Sequence, residues 1–138
     1  MTPQEMARLH AAAFTQERPW TAQEFESLLS SPHVATISAP EGFALARSVA
    51  GESELLTVAV DPQHQRQGIG RALVQKWLKA AAATCESAFL EVASDNLAAR
   101  SLYQSLGFEE VGLRTAYYTR KNGASPDAIL MRIALAEV

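Results

Sequence analysis

The sequence holds a single cysteine, so no internal disulfide can staple it. One lone thiol fits a reducing compartment, and a cytoplasmic location is expected. No apolar run approaches the ~20 residues of a membrane-spanning helix, so no membrane contact is expected. Positive charge is in deficit: 12 Lys and Arg stand against 15 Asp and Glu, for a net charge of −3. That balance argues against a nucleic-acid partner held by general basicity. His10, His33 and His64 share no metal-like spacing, and no metal is assigned. The opening "MTPQEMARLH" carries an acid and lacks an apolar stretch, which does not read as a secretory signal. Repeats and low-complexity tracts are absent, which excludes the disordered classes.

What is present suits one domain over residues 1–138: 48% of the residues are hydrophobic, enough for a real core. Two helices open the chain. In "TPQEMARLHAAAF", Thr2, Pro3 and Glu5 form a capping box with proline at the first helical position, and Met6, Leu9 and Ala13 share a face. "TAQEFESLLSS" repeats the device with Thr21 and Glu24, and presents Phe25, Leu28 and Leu29. The period then changes to two. "HVATISA" and "GFALARSVA" read as strands around the turn "APEG", and "ELLTVAV" reads as a central strand, apolar on both faces. "RALVQKWLKAAAAT" is helical, with Ile69, Leu73, Trp77, Ala80 and Ala81 in one stripe, and Cys85 near its end reads as a small buried or half-buried residue rather than a nucleophile. "SAFLEVA" is a strand. "NLAARSLYQSLG" is a helix that Gly107 ends in the left-handed conformation. "FEEVGLRTAYYT" and "DAILMRIAL" complete a mixed sheet, joined by "RKNGASP". The order is α-α-β-β-β-α-β-α-β-β, an α/β domain.

One junction carries chemistry. "AVDPQHQRQGIGRALV" takes a strand into a helix through Gln65, Arg66, Gln67, Gly68, Ile69, Gly70 and Arg71. The first N–H groups of a helix have no internal partner, glycines admit ligand atoms close to them, and the helix dipole is positive there. The place suits a phosphate or pyrophosphate, with Arg66 and Arg71 to neutralise charge. The alternative is a tight connection without a ligand. A Walker A loop fails, because Gly70 is followed by Arg71 and Ala72 rather than Lys and Ser or Thr. A dinucleotide fingerprint fails at Leu73, which is too bulky for the third glycine position.

"VDPQHQRQGIGRALV" resembles the acetyl-coenzyme A motif of the GNAT acetyltransferases. "NLAARSLYQSLGFEEVG", residues 96–112, resembles that family's Asn…Ala…Leu-Tyr…Gly-Phe segment, and the two come in the family's order. Within the family, "RPWTAQEF", "LEVASDN", "GLRTAYY" and "DAILM" resemble the RimI-like branch, which acetylates the N-terminal alanine of a small-subunit ribosomal protein. The resemblance implies a single GNAT-type domain: a mixed, mostly antiparallel sheet flanked by about four helices. The short opening strand of many relatives is expected to be absent. It implies acetyl-coenzyme A as co-substrate and direct attack by an amine in a ternary complex. Val58, Ala59 and Val60 would line the pantetheine arm through their main chain, with an N–H near Val58 polarising the thioester carbonyl. Gln65 to Gly70, with Arg71, would hold the pyrophosphate.

The same resemblance makes Glu91 the base for the attacking amine and Tyr103 the acid for the departing thiolate. Read from the residues alone, Glu91 is a carboxylate in an apolar strand, tolerable only if it is paired or faces a wet cleft. Tyr103 alone reads as a packing tyrosine. Asn96 either caps its helix or bonds the pantetheine amide. Arg100 either reaches a coenzyme phosphate or is solvated surface. Pro19-Trp20 and Tyr117-Tyr118 either wall the acceptor groove or pack in the core. The chain departs from the branch at Ala93, where an arginine is usual, at Asp95, where a serine is usual, and at Pro126, where a glutamate is usual. All three lie where acceptor contacts are expected. The resemblance implies a protein α-amine as the acceptor. A lysine or small amine is the alternative, and a silent acetyl-coenzyme A-binding module is a third reading.

Overall fold

The computed structural model describes residues 1–15, 17–118, 120–123 and 125–135. Two helices, α1 (Pro3–Ala13) and α2 (Ala22–Leu29), precede three strands, β1 (Val34–Ala39), β2 (Gly42–Val49) and β3 (Glu52–Val60). Helix α3 (Ile69–Ala81), strand β4 (Ser87–Ala93), helix α4 (Leu97–Ser105), and strands β5 (Glu109–Arg114) and β6 (Ala128–Ala134) follow. They form a six-stranded sheet in the order β1-β2-β3-β4-β6-β5, with β1 and β5 at its edges. Every neighbouring pair is antiparallel except β3–β4.

Local chemistry explains the helix starts. Before α2 the capping box is complete: the Glu24 N–H donates to Thr21 Oγ1 (3.2 Å) and the Thr21 N–H donates to Glu24 Oε1 (3.0 Å). Before α1 half of it forms, with the Glu5 N–H donating to Thr2 Oγ1 while the Thr2 hydroxyl faces Glu5 Oε1. Gly107 follows α4 at φ +105°, as expected of a helix stop.

The sheet is covered on both faces, which is why β2 is buried from Gly42 through Ala46. Phe43 and Leu45 point to Met6 of α1 and Phe25 of α2. Ala44 and Ala46 point to Leu73, Val74, Trp77 and Leu78 of α3. Ala80 belongs to neither cluster: it is exposed, because the buried stripe of α3 runs through Leu73-Val74, Trp77-Leu78 and Ala81. Cys85 is buried at the edge of the α3 cluster. The last strands are shorter than their sequence suggests. β5 ends at Arg114, and Ala116 at φ 49° turns the chain out of extended geometry, so Tyr117 and Tyr118 lie on a loop. Thr119 lies outside the described residues.

The central feature is the parallel pair. β3 and β4 are in register over Glu52–Ser87, Ser53–Ala88 and Glu54–Phe89, and no further. Immediately after, β3 bulges against β2: Leu45 faces Thr57 but Ala46 faces Leu55, leaving Leu56 extra. The bulge changes the phase of the strand, since Leu55, Val58 and Val60 all pack with the α3 cluster despite the odd spacing. It also bends β3 away from β4. The paired end is secured by Ser53, fully buried, whose Oγ accepts from the Trp77 indole N–H (2.8 Å) and from the Ser48 hydroxyl (3.0 Å). Ser53→Ala would strand that buried indole donor, so a loss of about 1–3 kcal/mol is expected. Equilibrium urea unfolding checks this, and an unchanged midpoint would contradict the role given to Ser53.

Candidate active site

Where β3 and β4 part, a cleft of about 1030 Å³ opens. One wall is β3 from Leu55 to Val60 and the other is β4 from Leu90 to Ala93. Asn96, Ala98, Ala99, Leu102 and Tyr103 of the α4 segment close one side. Because β4 has turned away, the main chain of Leu55 to Ala59 has no strand partner on its cleft edge. Val58, Ala59 and Val60 all line the cleft, and the Val60 carbonyl is taken by Gln65 Nε2 (3.2 Å).

The glycine loop forms one end. Arg66 (φ 65°) and Gly68 (φ 81°) are both left-handed, which folds the loop back so that α3 begins at the cleft. No side chain caps α3. Its ladder starts with the Ala72 N–H on the Gly68 carbonyl (3.0 Å), so the N–H groups of Ile69, Gly70 and Arg71 precede it and make a positive end. A Cβ built on Gly70 would meet nothing nearer than Val60 Cγ2 at 3.8 Å. The fold itself therefore has room for a side chain there, and the missing Cβ leaves the helix end open to a ligand. Gln65, Arg66, Gly68, Ile69, Gly70 and Arg71 line the cleft, while Gln67 does not. Arg71 is steadied by Ser105 Oγ (2.8 Å).

Asn96 caps α4, its Oδ1 accepting from the Ala99 N–H (3.2 Å), and still lies on the cleft wall. Arg100 does not reach the cleft. Its guanidinium donates to the Ser94 carbonyl (2.8 Å) and to Glu110 Oε1 (2.6 Å), and that pairing turns it away from any phosphate site there.

Glu91 and Tyr103 meet at the same cleft from different elements. The Glu91 side chain is 17% exposed and forms an ion pair with Arg114 at the end of β5 (3.1 Å). The carboxylate is thus both paired and cleft-facing, the two conditions under which an apolar strand tolerates one. Tyr103 is buried, and an aromatic series fixes it: its ring meets Phe108 edge-on at 5.8 Å, and Phe108 stacks on Trp77 at 6.2 Å. Burial pushes its phenol up to about 12, so it is neutral and keeps its proton at physiological pH. Tyr118, half-buried on the wall, is also pushed up to about 12, by burial first and then by the Glu91 charge. Tyr117 is exposed, with the Arg114 guanidinium over its ring at 5.1 Å.

At the far end His10, Glu17 and Arg120 are marked by no local sequence pattern, while Trp20 and Asp95 are among the residues the sequence singles out. His10 is buried, and its Nδ1 accepts from the Trp20 N–H (3.1 Å), so the neutral ring carries its proton on Nε2. Its ring stacks between Phe14 (4.2 Å) and Trp20 (5.0 Å) and holds Trp20 against the cleft. Desolvation lowers His10 to about 4, outweighing the nearby Glu24 charge. Arg120 binds Glu17 and Asp95, both also on the cleft. Glu17 and Arg120 are too far apart in sequence for any periodicity to join them. Among the described residues, no three His, Cys, Asp or Glu side chains converge as metal ligands.

The sequence pattern of the acetyltransferase (GNAT) family matches residues 4–108. The chain is 40% identical to the N-alpha-acetyltransferase RimI of Mycobacterium tuberculosis, over 94% of this chain and 84% of that protein. It is 35% identical to the ribosomal protein bS18-alanine N-acetyltransferase of Escherichia coli, over 96% of this chain and 95% of that one. The crystal structure of the ribosomal-protein-S18-alanine N-acetyltransferase from Escherichia coli superimposes with a TM-score of 0.84 at 32% identity, covering 94% of this chain and 84% of that chain.

The buried histidine gives a pH signature. Its folded-state value near 4 lies below the ordinary 6.5, so the unfolded chain takes up the proton first as pH falls. The contribution of His10 to stability is intact above pH 6.5, declines down to about pH 4 and is flat below. His10→Asn, which keeps an acceptor near Nδ1 but cannot titrate, should flatten that part of the stability profile. A profile with the same slope in both proteins would assign it to other groups.

Proposed function

Because the chain belongs to the GNAT family and is an acetyl-coenzyme A-dependent N-acetyltransferase, we propose that its acceptor is the α-amine of a protein N-terminus. The similarity to enzymes named for N-terminal alanine acetylation of a ribosomal protein supports this choice. The observation that carries acetyl transfer at this cleft is the parting of β3 and β4. It leaves an unpartnered strand edge beside an uncapped helix end, with a carboxylate and a neutral phenol on the other walls.

The residues fit the co-substrate. The main-chain edge of β3 at Val58, flanked by Ala59 and Val60 on the cleft wall, matches the amides of a pantetheine arm, and an N–H there can polarise a thioester carbonyl. The N–H groups at the start of α3, with Arg66 and Arg71, suit a pyrophosphate. Gln67 is assigned a main-chain role in that loop, Asn96 the role of a second contact to the pantetheine arm, and Arg100 none. When bound, acetyl-coenzyme A supplies an activated acyl carbon and a thiolate leaving group. Glu91 takes the proton from the attacking amine, through water where the amine does not reach it. Tyr103, on the cleft wall, would be the hydrogen-bond donor to the departing sulfur. A phenol near 12 is a reluctant acid toward a thiol whose ordinary value is about 8.5, so Tyr103 contributes a hydrogen bond more than a completed proton transfer.

The acceptor class follows the same arithmetic. An α-amine near 8 is roughly a tenth neutral at pH 7, whereas a lysine near 10.4 is under about a thousandth neutral. A single carboxylate base is better matched to the first. We place the reaction in the cytoplasm, where newly made N-termini occur. No described helix is long and apolar enough to cross a membrane.

Mass spectrometry of acetyl transfer to two peptides tests the acceptor. One peptide has a free N-terminal alanine and no lysine; the other has a blocked N-terminus and one lysine. Label on the first alone is expected, and label on the second alone would make the enzyme a side-chain acetyltransferase. Glu91→Gln with Tyr103→Phe should lower kcat by about 10²–10⁴-fold and leave acetyl-coenzyme A binding intact. Undiminished turnover would remove both from the mechanism. Gly70→Ala should raise the KM for acetyl-coenzyme A without lowering stability, since the helix gains a better former and the fold has space for the methyl. An unchanged KM would place the pyrophosphate elsewhere.

A further inference from the structure

The end of the cleft away from the glycine loop is bridged. We propose that Arg120 is a positioning residue that sets the width of the acceptor end by clasping its two walls together. The identification of that end as the acceptor's rests on the reading above.

The need for a clasp follows from the sheet. β3 and β4 hold each other at Glu52–Glu54 and Ser87–Phe89, then separate. Helices α1 and α2 pack on the β1–β2–β3 half through Met6, Phe25, Phe43 and Leu45. Strands β4, β6 and β5 make the other half. Glu17 lies between α1 and α2, and so belongs to the first half. Asp95 lies between β4 and α4, and so belongs to the second. Arg120 lies between β5 and β6 and takes both. Its Nε donates to Glu17 Oε1 (2.6 Å), and its Nη1 and Nη2 donate to Asp95 Oδ2 (3.1 Å) and Oδ1 (3.0 Å). The contact to Asp95 is two-pronged, which fixes the plane of the guanidinium as well as its position.

Three observations separate this from an ordinary surface ion pair. The Arg120 side chain is 8% exposed, against 29% for Glu17 and 55% for Asp95, so the cation is the enclosed member of the group. All three partners line the cleft itself. Their chain neighbours are working parts: Asn96 follows Asp95 and caps α4 on the cleft wall, and Tyr118 stands two residues before Arg120 on the same wall, close enough to feel the Glu91 charge. A guanidinium can hold two carboxylates in fixed directions, and an ammonium cannot. The link is absent from the glycine-loop end, so its loss should be felt by the acceptor and not by the coenzyme.

The test compares wild type with Arg120→Gln and Arg120→Lys. For Arg120→Gln, the KM for the acceptor peptide should rise about tenfold while the KM for acetyl-coenzyme A stays within about twofold, and Arg120→Lys should recover part of the loss. Amide hydrogen exchange should quicken in Arg120→Gln at both residues 17–20 and 94–97, with the β2 and α3 amides unchanged. A fall in melting temperature with both KM values unmoved, or an equal rise in both, would reduce Arg120 to a structural residue and overturn the proposal. Exchange unchanged in either segment would also overturn it. If wild type labels neither test peptide, the acceptor reading fails on its own, and the paired exchange measurement still decides the clasp.

Discussion

Parallel pairing between β3 and β4 runs for three residue pairs and then stops, and the cleft opens at that interruption. A sheet normally satisfies every main-chain group of its central strands. Here a bulge at Leu56 turns β3 aside just beyond Glu54, so a central strand presents an edge inside the protein. A buried edge is tolerable only where water or a ligand with amide groups can reach it. The cleft supplies that access. The other end of the pair must compensate by being tightly held, and the Ser48–Ser53–Trp77 bonds with the packing of α3 do this.

The cleft that results is differentiated along its length. At one end the start of α3 and Arg66 and Arg71 make a positive site fitted to phosphate oxygens. In the middle stand a carboxylate held by Arg114 and a phenol held by a series of aromatic rings. At the other end, acidic side chains and the aromatic rings of Trp20 and Tyr118 frame the opening. His10 belongs to this frame as an uncharged support. A charged imidazole there would have to leave water, and its depressed value near 4 reflects that penalty. Arg120 supplies the cation between Glu17 and Asp95. Asp95, one of these carboxylates, and Ala93 both line the cleft.

What the sequence determined by itself was whatever depends on near neighbours. The capping box at Thr21 and Glu24, the stop at Gly107, the period-two strands and the glycine junction at Gln65–Arg71 are rules of spacing within a few residues, and each is found where its spacing puts it. The roles expected of Glu91 and Tyr103 came from the family resemblance: the residues alone gave a carboxylate in need of a partner or a wet cleft and a packing tyrosine, and the structure puts both on the cleft wall. Tertiary structure decided the rest. Ala80 fits the helical stripe of α3 but faces solvent, because the sheet beneath lies nearer the Leu78 side. Arg100 has a charge suited to phosphate, yet Ser94 and Glu110 fold close enough to claim it. The burial of His10, the end of β5 at Arg114 and the meeting of Glu17, Asp95 and Arg120 depend on which surfaces the sheet brings together. Ion pairs and burial are set by distance in space, and a one-dimensional pattern carries that distance only within a single element.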